Sequence, residues 1–263
     1  MDLSVVLSDW PYDEREEANN VRKVMGLDGR VKLQMRVRNG VLQWEVRGRP
    51  DGRRPHGHPS ALAYCRFLVA LAESDSSQEG AHRPLLNAEL AEELTQELFD
   101  FYRRGRSLFL LGDYGRAMRD MSHCLNVLRI LREGYADEQA VVTYDRHRPS
   151  LLAERARCAM LLRLQRGDVR GALDALNQAI RDVESFYEDY ELPDQAGDSS
   201  ERQMLVDLRR SLREKHNVPL NDEELLQSLT VEQEVAIRRE NYEMAARLRD
   251  KINSLRQKIA SKD

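Results

Sequence analysis

Cysteine is scarce in this chain: Cys65, Cys124 and Cys158 are far apart, odd in number, and none sits in a CxxC pair. That spacing argues against a disulfide framework or a thiolate metal site, and the expectation is three reduced, buried thiols of a cytoplasmic protein. Aromatic residues make up only 6% against 33% charged, a balance that predicts thin, helix-rich cores rather than a large compact enzyme. Long apolar runs are missing too, since none approaches the roughly 20 residues a membrane span needs. Residues 1–9 begin with an acid and have no basic stretch before an apolar one, so no secretory leader is expected. Catalytic signatures are equally lacking: there is no Walker A loop, HExxH, GxSxG or dinucleotide GxGxxG. The expectation is a non-enzymatic protein with no cofactor and no membrane partner.

What is present is unevenly charged. The net charge is -4, but eleven Lys/Arg between Val21 and Arg66 face only Asp28, Glu45 and Asp51. From Asp182 to Glu201 there are eight acids and no Lys or Arg. The chain is electrically polar along its length.

The basic region is also the strand-like one. Residues 31–38 alternate apolar and polar, and Asn39-Gly40 predicts a type I′ hairpin, because both turn positions need positive φ. A two-residue loop there pairs Val37 with Leu42, Met35 with Trp44 and Leu33 with Val46, all apolar and on one face. Asp28-Gly29 marks an earlier turn after a first strand at Val21–Met25. The result is a three-stranded antiparallel meander with Trp44 in its core and Lys32, Gln34, Arg36 and Arg38 on the opposite face. Ser60 is the expected cap of a helix beginning at Ala61.

The middle is helical and repeats itself. Phe101, Gly105, Leu108, Gly112-Asp113-Tyr114, Ala117, Met121 and Cys124 find an echo in Gly167-Asp168-Val169, Ala172, Leu176 and Ala179. In both copies Gly-Asp breaks one helix, and a small residue five positions on lets the next approach. This pattern resembles tetratricopeptide repeats. The copies lie 55 residues apart, so about 21 residues beyond the usual 34 are expected to be inserted around Arg132 to Pro149. Tyr102, Arg106, Arg157 and Gln165 would line the groove of such a pair.

The tail carries the most specific pattern. Glu234-Val235-Ala236-Ile237-Arg238-Arg239-Glu240-Asn241-Tyr242 leads into Glu243-Met244-Ala245-Ala246-Arg247-Leu248-Arg249-Asp250-Lys251-Ile252. An acidic first helix, an Asn-aromatic turn and Ala-Ala-x-x-Arg-Asp-x-Ile make residues 225–259 resemble the UVR motif of UvrB and UvrC. Ala245, Leu248, Ile252, Leu255 and Ile259 are spaced 3, 4, 3 and 4 apart, a coiled-coil seam, with Leu225, Leu229 and Ala236 as the weaker partner stripe. The resemblance implies docking between proteins, because such hairpins pair with one another in UvrB and UvrC. The motif also occurs in Clp ATPases and their adaptors. The helicase and nuclease signatures of UvrB and UvrC are missing.

The fold class expected is therefore α+β, mostly α. It comprises a basic meander (1–66), a tetratricopeptide-like helical domain (67–187), an acidic linker and helix (188–219) and a UVR-like hairpin (220–263). The expected function is that of an adaptor or scaffold. Tyr242, Ala245, Ala246, Leu248, Arg249, Asp250, Ile252 and Leu255 would meet a protein partner carrying a UVR-like or coiled-coil helix pair, or a second copy of the chain. The alternative is a nucleic-acid-associated accessory factor, with Arg36, Arg38, Arg47, Arg49, Arg53 and Arg54 following a phosphate backbone. Against that, a basic face can simply be solvated or docked on the acidic stretch. His56-x-His58 lacks the further ligands of a metal site, and Cys124 reads as a core thiol.

Overall fold

The computed structural model describes residues 3–74, 86–220 and 222–260. It is mostly α-helical, with one small antiparallel sheet near the N-terminus. A short helix α1 (Leu3–Asp9) precedes strands β1 (Val21–Met25), β2 (Val31–Val37) and β3 (Gly40–Glu45). Then follow α2 (Ala61–Ser74), α3 (Ala88–Leu110), α4 (Tyr114–Gly134), α5 (Glu138–Asp145), α6 (Arg148–Leu164) and α7 (Val169–Asp189). The C-terminal helices are α8 (Ser200–His216), α9 (Asp222–Arg238) and α10 (Tyr242–Ala260). Leu85, near which the sequence starts the long helical run, and Asn221, which with Asp222 it offers as a cap for the next helix, lie outside the described residues.

The chain divides into two compact units, Met1–Arg210 and Ser211–Asp263. The boundaries expected at residues 66 and 187 both fall inside the first unit. For the boundary at 66 the reason is shared burial: Val21, Leu33 and Trp44 from the sheet pack with Leu108, Ala117 and Cys158 from α3, α4 and α6 in one cluster. Fully burying Leu33 and Trp44 stabilises that junction by roughly 2 kcal/mol each.

Strand order is β1-β2-β3, as the alternation predicts, but the second hairpin closes one residue earlier than expected, which shifts its pairing by two. Leu33 faces Trp44, Met35 faces Leu42 and Val37 faces Gly40, so the turn is Arg38-Asn39. Neither residue has positive φ, which excludes a type I′ turn. The grip of Arg36 accounts for this. Its Nη1 donates to the carbonyls of Val37, of Arg38 at 3.1 Å and of Gly40 at 3.1 Å. A slip of two leaves every side chain on its expected face, so Trp44 is still core.

The helical repeat is built as pairs, α3 with α4 and α6 with α7, with α5 occupying the expected insertion. Gly105 lets the first pair close up: a Cβ there would lie 2.8 Å from Met121 Cε and 3.0 Å from Asp120 Cβ. Arg104 ties this pair to the sheet. It forms a two-pronged salt bridge with Asp120 at 2.8 and 2.7 Å, and its Nη1 donates to the carbonyls of Glu45 at 2.9 Å and Gly48 at 2.7 Å. All three cysteines are buried. Burial pushes the Cys65 and Cys158 thiols up to about 12 and Cys124, which donates to the Leu98 carbonyl, higher still.

Glu97 is the other organising polar residue of the first unit. Its buried carboxylate accepts from the backbone N–H groups of Ala61 at 2.7 Å and Leu62 at 3.2 Å, at the start of α2. His123 lies at 2.8 Å and Arg49 at 3.3 Å. Ser60 caps the same helix through the Ala63 N–H at 3.0 Å, as its sequence position predicts.

Candidate functional site

The second unit is dominated by the α9–α10 hairpin. Helix α9 ends because Glu240 takes a left-handed conformation (φ 56°), and the Asn241 N–H then reaches the Ala236 carbonyl at 2.9 Å. Asn241 starts α10 by accepting from the Met244 N–H at 3.2 Å. The turn thus occupies 239–241, where the Asn-aromatic signal predicts it.

Ala236, Ala245 and Leu248 form the core of the hairpin, with Leu229 packed against them. Ile252 and Leu255 continue the buried stripe. Gln233 Nε2 donates to the Ala245 carbonyl at 3.3 Å, and Lys258 pairs with Asp222 at 2.8 Å, clasping the open end. Residues 223–258 match the UvrB/uvrC motif (UVR). The chain matches no curated protein and no solved structure.

Within the UVR hairpin the expected partner-binding residues separate into two groups. Ala245, Leu248, Ile252 and Leu255 are buried, so they build the hairpin instead of awaiting a partner. The reason is that α9, short of large residues at Ala236, lies close enough to seal the seam. Ala246 is half-buried, while Tyr242, Arg249 and Asp250 are exposed. Tyr242 is 67% exposed as the first residue of α10, so it does not close the apolar end of the hairpin. Arg249 and Asp250 pair with each other at 2.9 Å.

The open apolar side chains lie elsewhere. Val231 and Val235, one turn apart on α9, are 55% and 38% exposed, and Ile237 and Met244 flank the turn at 49% and 48%. Their i, i+4 spacing is visible in the sequence, but it reads as noise beside the longer seam of α10. The two helices differ in charge: α9 carries five acids against one arginine, and α10 five basic residues against two acids.

The arginines of the meander are largely occupied. Arg36 is buried, with Nε donating to the Trp10 carbonyl at 2.8 Å and the rest of its guanidinium on the turn. Arg49 sits between Asp51 at 3.4 Å and Glu97 at 3.3 Å. Neither is available to a phosphate backbone, which corrects their place in the candidate set. Arg38 pairs with Glu14 at 3.1 Å, while Arg47, Arg53 and Arg54 are exposed. Nor does the acidic stretch serve this face. Asp182, Glu184 and Asp189 pair with Arg155, Arg202 and Arg148 of the helical layer, and Glu201 accepts from Ser150.

Of the residues expected to line a repeat groove, Arg106 pairs with Glu17 at 3.1 Å, and Arg157 pairs with Glu154 and lies over Phe109. His56 stacks on Tyr64 and meets Glu93 at 2.9 Å. Among the described residues no group of three or more His, Cys, Asp or Glu is placed to hold a metal, and no helix is long and apolar enough to cross a membrane.

Proposed function

We propose that the chain is an adaptor or scaffold rather than an enzyme, and that its UVR hairpin docks on a second helical hairpin of the same kind. The observation that carries this reading is the concentration of uncovered apolar side chains. Leu225, Val231, Val235, Ile237, Tyr242 and Met244 are all exposed within one short hairpin whose own seam is already filled. Exposed large apolar groups that cluster in this way mark contact surfaces. The charge asymmetry selects the occupant, since an acidic α9 opposite the basic α10 of another hairpin satisfies both helices at once. Docking through the outer face of α9 leaves each hairpin intact, so partners exchange without unfolding. The helices of the first unit serve as a second surface.

In a purified sample the available hairpin is that of another copy. Light scattering on the full chain is expected to show mass per particle rising with concentration towards two chains. Val231→Asp/Val235→Asp should hold it at one. A wild-type protein that stays single-chain throughout the accessible range overturns the reading.

A further inference from the structure

The end of the sheet at the β1–β2 turn forms a basin of about 600 Å³, lined by Lys23, Arg30, Val31, Glu45, Val46, Arg47 and Arg116. Its size falls in the range of small-molecule sites, roughly 300–1,000 Å³. Its charge pattern has no internal explanation. Arg30 and Arg47 line this basin together, beyond the last paired residues of the two strands, Lys32 and Glu45. Like charges gathered in one basin repel each other. The surrounding cations are already matched: Lys32 with Asp28 at 2.6 Å and with Glu45, and Lys23 and Arg116 with Asp113 at 3.2 and 2.5 Å. The lining itself carries four cations, Lys23, Arg30, Arg47 and Arg116, against Glu45 alone. Arg30 and Arg47 are both exposed, and neither side chain has a hydrogen bond or ion pair among the described residues.

We propose that this basin binds a phosphoryl-bearing anion, held between the guanidinium groups of Arg30 and Arg47. Arginine's planar fork suits phosphate oxygens, and two such forks compensate a dianion that neither could neutralise alone. The neighbouring Lys23 and Arg116 add long-range attraction, because their shared Asp113 cancels only one of their two charges. Such a ligand is either a free polyphosphate or the phosphate of a lipid headgroup. Two exposed apolar residues of the same turn region, Met25 and Leu27, would touch the second source only.

Titration of the full chain with inorganic tripolyphosphate, and sedimentation with vesicles containing phosphatidic acid, tests both sources. Saturable binding to either is expected, weakening with salt, and Arg30→Ser/Arg47→Ser should reduce it at least about tenfold, the weight of one or two charge-assisted contacts. Removing two like charges from one basin should leave thermal stability unchanged or raise it, which separates lost binding from lost fold. Leu27→Ser should weaken vesicle binding alone if a lipid is the source. The proposal is overturned if neither probe binds, or if binding is the same in the double variant. It is overturned equally if only a single-stranded oligonucleotide binds, the mark of a nucleic-acid surface.

Discussion

Individual side chains in this protein do work that their sequence positions disguise. Arg36 stands in an outward slot of an alternating strand, yet it is buried and hydrogen-bonded to the Trp10 carbonyl and to the turn it closes. The covering segment from Trp10 to Asn20 has no periodicity to announce it, so this burial was not legible, whereas Trp44 in the core and Ser60 as a cap were. Glu97 is a second case. Burial opposes its charge, but His123 and the N–H groups of Ala61 and Leu62 outweigh that and hold its carboxyl below the usual range. A folded-state value below the unfolded one means its contribution is whole above about pH 4.3 and is lost as pH falls through the folded value. Glu97→Gln, which turns an amide towards the N–H donors of α2, should cost about 2 kcal/mol at neutral pH. In urea titrations the gap between the two proteins should narrow below about pH 4, and a gap constant with pH contradicts this role. Gly105→Ala pushes a methyl against Asp120 and Met121 and should cost roughly 1–3 kcal/mol by the same measurement.

At the scale of elements, one device ends five of the described helices, α3, α6, α7, α8 and α9. The N–H groups of Asp113, Asp168, Leu192, Val218 and Asn241 each reach back five residues, to the carbonyls of Leu108, Arg163, Tyr187, Arg213 and Ala236. In each case the preceding residue has positive φ: Gly at 112 and 167, Asn at 217, and Glu at 191 and 240. Glycine and asparagine stand out in the sequence, which is why the Gly-Asp breaks of the repeat and the Asn217 stop were legible and the Glu191 stop was not. The hairpin turn between β2 and β3 fails as a signal for the converse reason: Asn39-Gly40 has the right residues, but the guanidinium of Arg36 holds a closure one residue earlier. Glu240 in the left-handed region costs about 1 kcal/mol relative to glycine. Glu240→Gly should therefore slow amide exchange in α9 and α10 by about fivefold. Unchanged exchange would mean that the turn is not under strain.

Across the whole molecule, charge is matched close to home, chiefly between neighbouring elements. The basic meander takes its acids from Glu14, Asp28, Glu45, Asp51, Glu97 and Asp113, and the acidic stretch takes its bases from α4, α6 and α8. Opposite charge along the sequence reads as two complementary blocks, but proximity decides the pairing. The hairpin motif, in contrast, was legible in full, since its seam spacing, turn and helix lengths follow from local pattern. Which of its faces stays open was not, because a seam reads the same whether its own partner helix or another chain fills it. The account turns on the outer face of α9, which amide hydrogen exchange followed against protein concentration tests most directly. Protection is predicted to rise around Val231 and Val235 and in the first turn of α10, and not to rise in Val231→Asp/Val235→Asp. Exchange in α9 that is independent of concentration would contradict docking through that face.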